Sequence, residues 1–82
     1  LERRIGVVGI LVQDRRQAAG KINSILSEYG EIIVGRMGVP YREKNLAVIA
    51  LIVDGTTDEI GAMTGKLGNI KGVMVRSALI SR

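Results

Sequence analysis

Cysteine, histidine, tryptophan and phenylalanine are all absent from the 82 residues. Without cysteine no disulfide can form. Without cysteine or histidine, a structural zinc site or a soft-metal sensor lacks its usual ligands. The same absence removes the common nucleophile–base pairs, since Ser24, Ser27, Ser77 and Ser81 have no histidine to activate them. The only aromatics are Tyr29 and Tyr41, too few to stack single-stranded bases. Apolar runs are short: Ile5 to Val12 and Leu46 to Val53 hold eight residues each, where a membrane helix needs about 20. The charged start, Leu1 to Arg4, followed by so short a run, does not read as a signal peptide. A first residue other than methionine is expected of a trimmed or vector-extended start. The lack of cysteine, with no leader-like pattern at the start, leads us to expect a cytoplasmic protein.

Acidic residues offer no catalytic set either. Asp14, Glu28, Asp54, Asp58 and Glu59 fall at expected helix ends or turns, where capping or solvation explains them. Glu31 begins a strand and Glu43 lies in a polar turn. The sequence therefore points away from an enzyme and calls for no cofactor and no metal.

Twelve Lys and Arg against eight Asp and Glu give a net charge of +4, but the basic residues are scattered and never more than two in a row. Scattered charge reads as a solvated surface. It speaks against direct DNA binding, although a nucleic-acid-binding regulator with a basic surface stays open as an alternative.

Four strand-like runs and two helix-like runs alternate. Arg4 to Val12 is rich in Val and Ile and reads as a strand. Asp14 is placed to cap a helix from Arg15 to Tyr29, with Ala18, Ile22, Ile25, Leu26 and Tyr29 on one stripe. Gly30 is expected to stop it in the left-handed conformation. Glu31 to Val39 is the second strand, Pro40 to Asn45 a polar turn, and Leu46 to Val53 a central strand. Thr56 and Glu59 have capping-box spacing. The helix they open carries Ile60, Met63, Thr64 and Leu67, with Gly68 as the expected C-cap. Gly61 and Gly65 are four apart on that helix, and close helix–sheet or helix–helix packing is their expected reason. Lys71 to Ile80 is the last strand.

This order predicts one α+β domain over residues 1–82 with the ferredoxin-like βαββαβ fold. Right-handed crossovers give a four-stranded antiparallel sheet, ordered fourth, first, third, second, with both helices on one face. The other face should meet water, yet three strands are apolar on both sides: Ile5, Val7 and Leu11 oppose Val8, Ile10 and Val12, Leu46 to Val53 is apolar throughout, and Val73, Val75 and Leu79 oppose Met74, Ala78 and Ile80. A chain this short buries only roughly 63% of its unfolded surface by itself. A homo-oligomer, dimer or tetramer, joined through the open sheet face and the strand edges, supplies the missing burial.

The most distinctive segment is Gly35-Arg36-Met37-Gly38-Val39-Pro40-Tyr41-Arg42. As a candidate ligand site, Gly35 and Gly38 permit close approach, Arg36 and Arg42 can pair with a carboxylate or phosphate, and Tyr41 can cover an apolar group. The alternative is a kinked strand and proline turn that build an oligomer interface. Arg76, mid-strand among apolar neighbours, reads as an edge charge against aggregation or as a partner in a cross-subunit ion pair.

Four segments carry a family resemblance: Gly9-Ile10-Leu11-Val12 into Asp14-Arg15; Asn23 to Gly38 followed by Pro40-Tyr41; Val48 to Asp54; and Gly65-Lys66-Leu67-Gly68 before Gly72-Val73-Met74-Val75. Together these resemble the small ACT-like regulators of the iron-only hydrogenase system, over nearly the whole chain. The resemblance implies the fold derived above and a regulatory role. The fold is also similar to the C-terminal domain of nickel-responsive repressors, but their His and Cys ligands have no counterpart here. In ACT domains small ligands bind at subunit interfaces near the loop after the first strand. Here that loop is Val12-Gln13-Asp14-Arg15-Arg16, without the glycine usual in amino-acid binders. Two readings remain beside the nucleic-acid one: a small-molecule-sensing regulatory oligomer with a ligand at its interface, and a structural or protein-interaction module without a ligand.

Overall fold

Alternating burial organises the first strand. In the computed structural model, which describes residues 2–80, β1 spans Arg3–Val12, and Gly6, Val8, Ile10 and Val12 point inward. Ser81 and the outermost residues of the expected 1–82 domain lie outside the described residues. The chain then turns into α1, Arg15–Glu28. The Asp14 side chain caps it, accepting from the amides of Arg16 at 3.2 Å and Gln17 at 3.4 Å. Ala18, Ile22 and Leu26, spaced by four, make its buried stripe.

Gly30 does not stop α1 in the left-handed region. Tyr29 is the C-cap, and Gly30–Ile32 continues as one tight 3-10 turn that carries Ile32 into the core. The right-handed path continues, so no positive φ is required. Among the described residues, positive φ occurs only at Asn45 and Gly72. The turn also delays the second strand. β2 spans Ile33–Tyr41, starting later and ending later than the expected Glu31 to Val39. Pro40 can belong to it because β2 is an edge strand, where a missing N–H costs no ladder bond. A register shift between Ile33 and Gly35 marks a bulge around Val34.

A second 3-10 turn, Arg42–Lys44, ends on left-handed Asn45 and leads into β3, Leu46–Thr56. β3 runs past Val53 because Asp54, Gly55 and Thr56 still pair with Ile5, Arg4 and Arg3 of β1. α2 spans Thr57–Gly68, and the predicted capping box is present in both directions between Thr56 and Glu59. The bond from the Thr56 amide to the Glu59 carboxylate holds that carboxyl below its usual range. Gly68 is the last helical residue and Asn69 the C-cap. The left-handed glycine is Gly72, whose carbonyl accepts from Gln13 N at 2.8 Å as the chain enters β4, Val73–Ile80.

The sheet is antiparallel in the order β2-β3-β1-β4, the ferredoxin-like arrangement, with β2 and β4 at the edges. The core lies between one face and the helices: Ile10, Leu51, Val53, Ile60, Met63 and Leu67 are each at most 2% exposed. Two glycines let backbone approach closely there. A Cβ on Gly6 would stand 2.8 Å from the Ala78 carbonyl oxygen, and one on Gly55 would stand 3.0 Å from Ile32. Gly61 and Gly65 behave otherwise: a Cβ added to either meets nothing within 4 Å. Close packing inside the chain therefore does not account for them. No helix among the described residues is long and apolar enough to cross a membrane.

Candidate ligand cleft and assembly face

The strand register sorts the predicted site residues onto two surfaces. Arg36 pairs with Leu51, Gly38 with Ile49 and Pro40 with Ala47, so these face the helix layer. Gly35, Met37, Val39 and Tyr41 pair with Ile52, Ala50, Val48 and Leu46 and belong to the open face. The five candidates thus separate: Arg36, Gly38 and Arg42 lie beside α1, while Gly35 and Tyr41 lie on the bare side of the sheet.

On the α1 side is a cleft of about 800 Å³ between the β1–α1 loop and the turn after β2. Asp14, Arg15 and Arg16 line one wall and Arg42 and Asn45 the other. Asn45 sets the second wall: its left-handed conformation closes the 3-10 turn through Asn45 N to Arg42 O at 3.1 Å. A smaller hollow of about 230 Å³ continues between α1 and β2, sharing Arg15, Ala19 and Pro40 with the cleft and adding Asn23 and Arg36. There the Arg36 guanidinium donates to Asn23 Oδ1 at 3.5 Å. Ion pairs among the described residues join Arg3 to Asp54, Arg4 to Glu2 and Lys66 to Glu28. None involves Arg15, Arg16, Arg36 or Arg42. The one carboxylate in the cleft wall, Asp14, is already engaged in capping α1.

Arg15 and Arg16 lie in the loop that the ACT-like resemblance marks for ligands, but the sequence reading did not single them out as site residues. A signal for them was present, since both stand in the first turn of a helix with no acidic residue there. That is the end where the helix dipole disfavours cations.

The open face is apolar in successive rows across the sheet. Val39, Val48, Leu11 and Met74 form one row, and Gly35, Ile52, Val7 and Ala78 another. Between them runs Met37, Ala50, Gly9 and Arg76. Met37 is 66% exposed, Ile52 50% and Val7 45%. Arg76 sits at the β4 edge and donates to the Val75 carbonyl at 2.8 Å. Its neighbour Gly9 leaves a hollow lined by Leu11, Val48 and Met74. A further groove, about 380 Å³, runs between α2 and β4, and Gly61, Gly65 and Gly68 line it. Among the described residues no cluster of three or more potential metal ligands occurs.

Solved structures place this geometry among known proteins. The uncharacterized protein TM1266 from Thermotoga maritima matches at 40% identity over 98% of this chain and 100% of its own, with a TM-score of 0.93. CutA1 from Oryza sativa shares the fold at 19% identity and a TM-score of 0.56, over 96% of this chain and 82% of its own. So does CPII, a nitrogen regulatory PII-like protein from Thiomonas intermedia K12, at 15% identity and a TM-score of 0.53, over 99% and 96%. A comparison with curated proteins finds no match. With a family profile matching residues 4–77, the chain belongs to the TM1266-like family, described as "Iron-only hydrogenase system regulator, putative".

Proposed function

We propose that this chain is a non-catalytic regulatory subunit that works in the cytoplasm as a homo-oligomer and responds to a small molecule. The open sheet face carries this reading. Val7, Met37, Val39, Ile52 and Met74 are each between 45% and 66% exposed and adjoin one another across four strands. Contiguous apolar surface of this kind is costly in water and is relieved by a second sheet packed against it. Stacking two copies face to face gives a dimer, and the free edges of β2 and β4 allow a tetramer. Gly35 and Tyr41 serve that face. Arg36, Gly38 and Arg42 serve a ligand beside α1. The family description supplies the link to an iron-only hydrogenase system. CPII, bound to ADP, AMP and bicarbonate in its solved form, is a regulator on the same fold.

Sedimentation velocity at micromolar concentration tests the assembly, with a multimer expected. A monomer would overturn it. Native mass spectrometry of freshly purified protein then tests the ligand: a fixed extra mass lost on denaturation supports sensing, and a clean multimer favours an interaction module.

A further inference from the structure

The geometry points to a ligand class: the cleft between the β1–α1 loop and the turn after β2 takes a small, multiply charged anion, through the guanidinium groups of Arg15, Arg16 and Arg42. This rests on the ligand-responsive part of the proposed function and adds its chemistry.

Three observations converge. The first is charge. Three guanidinium groups and one carboxylate line the cleft. The Asp14 carboxylate is held on the α1 amides, and none of the three arginines has an ion-pair partner among the described residues. The cleft is therefore positive. The second is placement. Arg15 and Arg16 occupy the first turn of α1, at the positive end of the helix dipole, where Asp14 already accepts from the Arg16 and Gln17 amides. Cations there act against helix stability, and a bound anion reverses the sign of that interaction. The third is construction. The two walls come from different parts of the chain, and Arg42 is positioned by a turn locked through left-handed Asn45. Arg15 also borders the adjoining hollow with Arg36, so an elongated anion can meet a further guanidinium along α1.

The charge count selects the class. A singly charged carboxylate would leave most of the arginines unmatched, whereas a phosphate ester, a polyphosphate or a di- or tricarboxylate matches them. Guanidinium forks pair with either chemistry through two parallel hydrogen bonds. A cleft of about 800 Å³ suits a metabolite-sized ligand.

Isothermal titration of the intact protein at low ionic strength tests this, with inorganic pyrophosphate and citrate as separate probes. At least one is expected to bind. Arg16→Gln and Arg42→Gln should each weaken binding by about tenfold or more, because each removes a charge-assisted contact. Arg42→Lys should weaken it less, since it keeps the charge and loses the fork. Lys71→Gln, outside the cleft, should leave it unchanged. Pyrophosphate binding alone identifies a phosphate ligand, and citrate binding alone a carboxylate. The proposal is overturned if neither probe binds at millimolar concentration, or if binding survives both glutamine substitutions. It is equally overturned if a DNA duplex binds in an Arg16- and Arg42-dependent way while neither small anion does. Sedimentation of the same samples separates this proposal from the assembly. A monomer that binds pyrophosphate sinks the assembly and keeps the site, while a multimer that binds neither probe does the opposite.

Discussion

Val8 and Val7 are adjacent on β1, and Leu51 and Ile52 are adjacent on β3. Val8 and Leu51 are fully buried, whereas Val7 and Ile52 are about half exposed. The strands are equally apolar on both sides. The difference lies in what covers them, because two helices suffice for one face of a four-stranded sheet. The helix face is completed within the chain, through residues such as Ile22, Leu26, Ile60, Met63 and Leu67. The open face has equivalent side chains and no partner from its own chain. A strand buried on one side normally alternates apolar and polar residues, and these strands do not, which is the pattern the proposed assembly accounts for.

Four experiments sharpen or break that contrast. Leu51→Ala should have the largest effect, costing about 2–5 kcal/mol at every protein concentration in a thermal melt. A smaller loss would mean that the helix layer is loosely packed. Ile52→Lys, one residue along, should leave the circular dichroism spectrum intact but weaken the assembly by about 3 kcal/mol or more, as a buried unpaired charge does. Equal sedimentation of the variant and the parent protein would refute the role given to the open face.

Glycines on the two faces make a finer comparison. Gly6→Ala should cost about 1–3 kcal/mol, since the new Cβ would meet the Ala78 carbonyl oxygen at 2.8 Å, and strand backbone cannot yield cheaply. Gly9→Ala, with 3.9 Å to its nearest neighbour, should leave the isolated fold unharmed. It should disturb the assembly only if the hollow beside Arg76 receives a side chain of the second copy, which sedimentation would register.

The smallest effects belong to the rim. Thr56→Ala should cost about 1 kcal/mol by removing the cap of α2. The reciprocal bond, from the Thr56 amide to Glu59, depends on pH. It holds the Glu59 carboxyl below its usual range, so its contribution is complete above that range and fades as pH falls through the lowered value. Lys66 has the opposite sense. Its bond to Glu28 at 2.7 Å, helped by Tyr29, raises its pKa. Its contribution is complete below the ordinary lysine range and is lost as pH rises through the raised value. Melts of Glu59→Gln and Lys66→Met across pH check both, and each variant should lose the slope at its own end of the scale.

Sequence legibility followed the range of the interactions. Both helix N-caps could be read, because Asp14 and the Thr56–Glu59 box act within three residues. Strand order could be read from element order and crossover handedness. The helix stops could not. Gly30 and Gly68 were expected as caps, yet the chain turns at Tyr29 and Asn69, because Ile32 and Val73 must reach the core. The sequence places Pro40 in the polar turn, yet it belongs to β2, because an edge strand has no use for its missing donor. In the ligand region, Arg36 and Arg42 were visible as candidates. Arg15 and Arg16 joined them only across the cleft.

The sequence by itself determined the element order, the N-caps, the lack of a thiol or imidazole, and the strands apolar on both sides. These follow from local periodicity and side-chain chemistry. Alternation along β2 already separates Gly35 and Tyr41 from Arg36 and Gly38. Only the tertiary structure decided which of the two sets faces the helices, through the pairing with β3, and only folding set Arg42 across from Arg15 and Arg16. Register is a long-range property: a shift of one residue exchanges the two faces, and no window of sequence along β2 contains the strand that fixes it.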